Sequence, residues 1–575
     1  MDFIISTYNI DSDALEAAFL TCNVTPENLT FKDSNWVGTV ISTPTPYVGL
    51  GPFSADDHIQ LVVGDPLLPL DNTLLKDTTK KDSNSRTAQI SAEWNNIFTN
   101  TPGNITPQHP SLLIRICRKT AKIEIITDPG SFITLYYHNN ERGTLLSTSP
   151  DLIGALIRPP VDKIAIAERL VTGQISYPYT LYEGIQQIPP GSLISIINGE
   201  TISSKWWHIP KQNSETSDAT EKIAENIRTL GESFLNQILN NVGENGYISL
   251  SAGTDTRFLA DLVSQNKKIK VACVTSTAVE NLESWTARQV ATALGFEFIL
   301  HPRPVAQHAA CVLPPPLLLS TQTNWEHAHF HLKGLGSLDD ACFILGGYTA
   351  DTFLANGDTY TTNRRKMLES ERLEASTAEW ATNIAVLKLS PEIKAEILSR
   401  RAHKLQLLEL NSEVSETLAN IWPFSQQLSK AHFDALRRSY PAYEFFMSTP
   451  MVEMGFKMSE PAKINPGKST LLKPQNIELQ KIPINPDSHL EVRKATRAFK
   501  KQYPRHLWPE SIIFPGPWSE KKGVLNKKLD EIVAIAKEAV ARRLGLNDVA
   551  NELNGIHCYA AYTAIQISEG EIPSA

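Results

Sequence analysis

Near the middle of the chain an apolar run ends at three residues with almost no side chain and turns straight into a helical pattern. The stretch is Tyr247-Ile248-Ser249-Leu250-Ser251-Ala252-Gly253-Thr254-Asp255-Thr256-Arg257, and Phe258, Leu259, Leu262 and Val263 follow at helical spacing. Small side chains at 251–253 let backbone N–H groups approach a polyanion, and the start of a helix adds unpaired donors and partial positive charge. Asp255 stands where a carboxylate can hold a divalent metal against the same phosphates. The plainer reading is a strand–helix turn in which a Thr or Asp caps the helix.

Further segments repeat the pattern. Lys268-Ile269-Lys270-Val271-Ala272-Cys273-Val274-Thr275 reads as a strand, 280–294 as an amphipathic helix with Trp285, Ala287, Val290 and Leu294 inward, and 296–300 as another strand. Phe343-Ile344-Leu345-Gly346-Gly347-Tyr348-Thr349-Ala350-Asp351 reads as a buried strand, a glycine turn and an acidic position. Strands and helices in such short alternation predict a parallel sheet covered on both faces. Ligands of such sheets bind at the carboxyl ends of the strands, where Ser251, Val274 and Gly347 fall.

The first of these loops resembles the S-G-G-x-D-S pyrophosphate loop of the ATP pyrophosphatases, adenylating enzymes that include asparagine synthetase. It departs from that pattern at Ala252 and Thr256, and Ala252 fits only if its position needs no positive φ. The second resembles the G-E-G-x-D-E segment of asparagine synthetases, with Tyr348 in the acidic place. Gly347-Tyr348-Thr349-Ala350-Asp351 is thus similar to the β-lactam synthetase branch, in which that tyrosine deprotonates the substrate amine. The resemblance implies ATP and Mg²⁺, with Asp255 and Asp351 on the metal. It places Leu250, Ser251, Gly253, Thr254, Asp255, Thr256, Val274 and Gly347 around ATP or its pyrophosphate, Val274 near the adenine. On the residues alone, Tyr348 also reads as an aromatic packed beside a turn.

Toward the carboxyl end, Lys463-Ile464-Asn465-Pro466-Gly467-Lys468 resembles the family stretch whose lysine reaches the ATP phosphates, which implies that role for Lys468. Glu520-Lys521-Lys522-Gly523-Val524 resembles the catalytic lysine loop. Lys521 is the catalytic candidate, with Lys522 its competitor. The glutamate that orients the tyrosine in β-lactam synthetases has no clear counterpart, and Gln426 or Gln427 stands in its neighbourhood.

In the amino-terminal third, Ile133-Thr134-Leu135-Tyr136-Tyr137 and the stretch from Gly143 through Leu152 read as antiparallel strands. With Tyr182-Glu183-Gly184-Ile185 and Lys205-Trp206-Trp207 they resemble the glutaminase-type domain preceding the synthetase domain of asparagine synthetases. Such a glutaminase needs Cys directly after the initiator Met. This chain begins Met1-Asp2-Phe3 and its first cysteine is Cys22, so the resemblance implies no ammonia from glutamine and an amine carried by the substrate. The expected architecture is α/β. A degenerate Ntn-hydrolase-like α+β sandwich (1–209) precedes a parallel-sheet ATP-pyrophosphatase synthetase domain (220–575), with the polar segment 210–219 as linker. Residues 26–110 match nothing familiar, and the lysines around Lys76 to Lys81 read as a solvated loop.

Bulk properties remove several rivals. Among 575 residues, 54 are basic and 62 acidic, a net charge of −8 that offers no footprint for nucleic acid and counts against a tRNA-modifying relative. The six cysteines are scattered without C-x-x-C spacing and read as buried or free thiols. No basic, apolar leader precedes Asp11 and Asp13, and no run of 18 apolar residues exists, so a cytoplasmic enzyme without a membrane segment is expected. The alternating His327, His329 and His331 lack a companion ligand cluster for a metal. Together these readings give an AMP-forming, ATP-dependent β-lactam synthetase of natural-product biosynthesis, closing a ring on a small β-amino-acid-like substrate. An intermolecular or peptide-cyclising amide ligase and a non-catalytic relative remain open beside it, and a homodimer is neither required nor excluded.

Overall fold

The computed structural model describes residues 1–22, 24–26, 38–69, 85–99, 105–197, 200–211, 220–277, 282–302, 342–354, 389–410, 422–426, 428–458, 468–484, 524–547 and 555–571, with the single residues 280, 501, 505, 550 and 553. The fold mixes two antiparallel sheets with one parallel sheet.

Both antiparallel sheets lie in the amino-terminal half. In one, β1 (Phe3–Ser6) runs between β2 (Thr39–Ser42) and β8 (Gly143–Ser147), and β8 leads through β7 (Tyr136–Asn140) to β9 (Gln186–Gln187). The other follows the order β11 (Glu200–Lys205), β10 (Ser192–Ile197), β6 (Ile123–Thr127), β5 (Ser111–Cys117), β4 (His58–Gly64), β3 (Phe53–Ser54). The two-residue period of a strand sorts their side chains. Phe3 and Ile5 join one core with Leu61, Val63 and Ile114 of the second sheet, whereas Ile4 packs with Leu15 and Phe19 of the helix Ser12–Thr21. Alternation was expected through Leu152, but the strand stops at Ser147. Ser149 accepts a hydrogen bond from the Asp151 amide and Pro150 occupies the first turn, so a helix begins there instead (Pro150–Ile157). The expected strand from Ile133 begins three residues later, because the Asp128 carboxylate captures the amides of Gly130, Phe132 and Ile133 in a turn.

The parallel sheet has the order β14 (Glu297–Pro302), β13 (Lys270–Thr277), β12 (Asn245–Ser249), β15 (Phe343–Gly346), β16 (Ala442–Glu444). Helices Thr254–Gln265 and Leu282–Leu294 join its first three strands, in the places the sequence pattern gave them. The chain builds outward from β12 to β14 and then returns past β12 to lay down β15 and β16. This reversal opens a crevice at the carboxyl ends of β12 and β15, the position where open parallel sheets take ligands.

The halves share one core. Trp207 packs on Trp422 and Phe456, Phe132 stacks on Phe424, and the Trp422 indole donates to the Pro129 carbonyl. Arg438 donates to both carboxylate oxygens of Asp2 at 2.6 and 2.8 Å. At the carboxyl end, helices Val524–Leu544 and Gly555–Glu569 cover the helices Pro150–Ile157 and Lys163–Thr172 of the amino-terminal half. The expected linker lies, at 212–219, outside the described residues, as do the lysines at 76, 80 and 81 and the His327, His329 and His331 trio. Among the described residues, Cys22, Cys117, Cys273, Cys342 and Cys558 are free, and no helix is long and apolar enough to cross a membrane.

Candidate functional site

The loop after β12 is built from its own small groups. The Ser251 amide donates to Thr256 Oγ1 at 3.0 Å, the two hydroxyls are also 3.0 Å apart, and the Gly253 amide donates to Ser251 Oγ at 3.1 Å. The helix Thr254–Gln265 starts with no side-chain cap, so the donors of its first turn have no intrahelical acceptor. Ala252 does not fall among the positive-φ residues, so the position carries an alanine without backbone strain. Arg257, buried in this helix, donates to the Ala252 carbonyl (3.1 Å) and to the carbonyls of Leu479, Ile482 and Pro483, tying the loop to the segment that follows Lys468.

Strand β15 delivers the second half of the site. Gly347 lies so close to the loop that a Cβ there would sit 3.1 Å from Asp255 Cβ and from Thr256 Cγ2. Tyr348 follows, half-buried against the core, and Asp351 opens the short helix Ala350–Leu354. Lys468, from the helix Lys468–Leu471, donates to Asp255 Oδ2 at 3.1 Å and to Asp351 Oδ1. Two carboxylates remote in sequence therefore converge on one cation. Asp255 Oδ1, although near the same ammonium, receives no hydrogen bond. Burial, reinforced by the charge of Asp351 and opposed by Lys468, raises the Asp255 carboxyl to about 6. Burial alone would depress the Lys468 ammonium, but the two carboxylates outweigh it and hold it above its ordinary value.

A residue that sequence reading missed completes the cluster. Glu444, at the end of β16, is fully buried beside Gly346, its register partner in β15. Its Oε2 accepts the Tyr348 amide at 3.0 Å, while Oε1 has no donor among the described residues. Burial lifts its carboxyl to about 8, against the pull of that amide. Behind it, the Glu444 amide donates to His109 Nε2 at 3.1 Å, and His109 Nδ1 lies 3.0 Å from the Asp65 carbonyl. A ring nitrogen that receives an N–H carries no proton, so the proton of His109 is on Nδ1. Only the paired glycines 346–347 on a short apolar strand could have announced a large polar neighbour here.

The remaining sequence candidates are distributed as follows. Val274 borders the site through β13, but its carbonyl accepts the Leu250 amide at 2.8 Å, and the Thr275 hydroxyl donates to the Leu250 carbonyl at 2.6 Å. Leu250 is buried and Thr254 begins the helix. Lys521, Lys522, Gln427 and the side chain of Gln426 lie outside the described residues. Asp2, at the position where the glutaminase resemblance expects a nucleophile, instead pairs with Arg438, accepts the Thr148 hydroxyl at 2.9 Å and is 2 % exposed. Among the described residues no group of three or more His, Cys, Asp or Glu side chains is arranged to hold a metal ion.

No family model and no curated protein matches the sequence. Among solved structures the chain is similar to the allosteric regulatory enzyme of purine biosynthesis, at 9% identity over 52% of this chain and 80% of that one, TM-score 0.23. It is similar also to glutamine phosphoribosylpyrophosphate amidotransferase from B. subtilis complexed with ADP and GMP, at 9% identity over 52% of this chain and 90% of that one, TM-score 0.23. Likeness at this level says nothing of activity.

Proposed function

We propose that the chain is an ATP-dependent, AMP-forming carbon–nitrogen ligase of the asparagine synthetase type, and within that class a ring-closing β-lactam synthetase. On this reading the amino-terminal half is a glutaminase-like sandwich without its nucleophile, and the parallel-sheet half is the synthetase. The observation that carries the proposal is the convergence of Asp255 and Asp351 on the Lys468 ammonium, beside Gly347 and Tyr348 at the reversal of the parallel sheet.

The residues fit a metal–nucleotide complex. A cation already bridges the two carboxylates, Asp255 Oδ1 lacks a donor, and the loop at 251–253 presents backbone rather than side chains. Asp255 and Asp351 would hold Mg²⁺, which supplies charge neutralisation to the β- and γ-phosphates. The first-turn amides of 254–256 and the Ser251 and Thr256 hydroxyls would hold the departing pyrophosphate, with Lys468 moving from carboxylate to phosphate. A substrate carboxylate attacks the α-phosphorus, and the substrate's own amine then attacks the acyl-adenylate. Tyr348 takes the ammonium proton, since an ordinary phenol near pKa 10 is matched to an alkylamine. Glu444 supplies the buried carboxylate that the resemblance calls for beside the tyrosine, and in this structure it acts on the Tyr348 backbone, fixing the residue that carries the phenol. Lys521 is proposed for the oxyanion.

Incubation of the protein with ATP, MgCl₂, labelled pyrophosphate and a panel of linear β-amino acids tests the proposal. Substrate-dependent pyrophosphate exchange with AMP and a product one water lighter is expected. Exchange that needs an added amine or peptide would move the assignment to an intermolecular or peptide-cyclising ligase. Absence of both exchange and ATP binding would overturn it.

A further inference from the structure

At the start of β4 in the second antiparallel sheet, three side chains form an unassigned relay. Asp57 immediately precedes β4, His58 begins it, and Ser91 lies in the last turn of the helix Ser85–Ala92 that packs on this strand. His58 Nδ1 is 2.5 Å from Asp57 Oδ1, and His58 Nε2 is hydrogen-bonded to Ser91 Oγ. A carboxylate only accepts, so the shared proton sits on Nδ1, and the Nε2 lone pair of a neutral ring faces the serine hydroxyl. This is the order carboxylate, imidazole, hydroxyl in which histidine can remove a serine proton.

The surroundings hold that order in place. The Arg118 amide donates to the Asp57 carbonyl at 2.9 Å, His58 pairs in register with Cys117 of β5, and Phe53 packs 6.1 Å from the imidazole. Helix and strand are joined by the Gln60 side-chain amide, which reaches the Thr87 carbonyl at 3.5 Å. His58 and Ser91 are 8 % exposed each, while the Asp57 side chain is 57% exposed, so the relay lies just beneath the surface with its acid end open to solvent. The hydrogen bond from His58 holds the Asp57 carboxyl below the usual range.

We propose that Asp57, His58 and Ser91 form a second reactive centre, in which Ser91 is a nucleophile toward activated acyl and phosphonyl electrophiles. In the step, Ser91 Oγ forms a bond to the electrophilic carbon or phosphorus as the bond to the leaving group breaks. The hydroxyl proton passes to His58 Nε2, and Asp57 stabilises the imidazolium. Ser91 belongs to a helical turn, where its own amide is committed to the helix, so the centre lacks the oxyanion donor that hydrolases take from the nucleophile's amide. One such donor is worth about 10²–10³ in rate. Reactive esters and fluorophosphonates are therefore its substrate class, and amides are not.

The test treats the full chain with a fluorophosphonate probe, fluoride being displaced, and locates the adduct by peptide mass spectrometry. The expected adduct is on Ser91, is lost in Ser91→Ala, and forms at least about tenfold more slowly in His58→Gln and Asp57→Asn, as in other relays of this kind. A Ser91→Cys variant keeps the test informative if the probe is too bulky. Its new thiol, facing His58, should react with iodoacetamide at least about tenfold faster than the same thiol when His58→Gln is added, with Cys342, remote from His58 in the fold, as internal reference. Ser91 labelling no faster than that of other serines, together with an alkylation rate of the Ser91→Cys variant indifferent to His58, would overturn the proposal. Circular dichroism of each variant separates this outcome from unfolding. None of these readouts involves ATP, so they stand apart from the ligase reading.

Discussion

Gly346 offers the sharpest test of how the site is packed. An alanine Cβ at 346 would lie 2.0 Å from Glu444 Oε1 and 2.4 Å from both Cδ and Oε2, far inside contact distance. The carboxylate cannot withdraw easily, since Glu444 is fully buried on the adjacent strand and holds the Tyr348 amide. Overpacking of this sort costs about 1–3 kcal/mol. Displacing the carboxylate also strands a buried amide, for about 1–3 kcal/mol more. Gly346→Ala is therefore expected to destabilise the protein by roughly 2–6 kcal/mol. In a Glu444→Ala background the clashing group is gone and the same substitution should cost less than about 1 kcal/mol, the two sites being in direct contact and hence non-additive. Equilibrium urea unfolding of the four proteins, read by tryptophan fluorescence and accepted where the slope is unchanged, measures this cycle. An equal cost in both backgrounds, or a cost below about 1 kcal/mol with Glu444 present, would refute the packing described here.

Three further outcomes are expected. Glu444 has a folded-state pKa of about 8 against an ordinary 4.5, so the stability it contributes is fully present below pH 4.5 and is lost as pH rises through 8. Between these limits wild-type stability should fall by up to about 1.4 kcal/mol per pH unit relative to Glu444→Gln, measured by denaturation at a series of pH values, and parallel curves would contradict it. Arg438→Met leaves the buried Asp2 carboxylate with the Thr148 hydroxyl but without its Arg438 counter-charge, and should lower the unfolding free energy by about 3–5 kcal/mol. A loss below about 1 kcal/mol would show that the pair does not join the halves. Tyr348→Phe should retain pyrophosphate exchange and lose at least about 10²-fold in product formation, read by mass spectrometry, and normal turnover would remove the phenol from the chemistry.

What was legible in the sequence is the local part. The βα unit at 247–265 could be read because small residues, a helix start and apolar periodicity all point the same way over a short span. The same holds for β13, the helix Leu282–Leu294 and β14, found within two residues of their expected limits. Glu444 was not legible. It reaches Tyr348 only through a parallel pairing of β15 with β16, and no local pattern encodes which glutamate a distant strand will present. Residues 26–110, rich in Thr, Asn, Asp and Pro, matched nothing familiar in the sequence, yet they supply β4, buried along its whole length. Tertiary burial there overrides a polar neighbourhood. Asp2 was read only against the cysteine that the resemblance expects there, whereas its partner, Arg438, lies 436 residues further along the chain.

The central claim is that Asp255 and Asp351 form one cation site with the loop at the end of β12. Binding of Mn²⁺ with a non-hydrolysable ATP analogue, followed by electron paramagnetic resonance, addresses it most directly. One nucleotide-dependent Mn²⁺ per chain is expected in the wild type, weakened at least about tenfold in Asp255→Asn and in Asp351→Asn alike. Nucleotide-dependent Mn²⁺ binding that survives both substitutions unchanged, in folded protein, would contradict it.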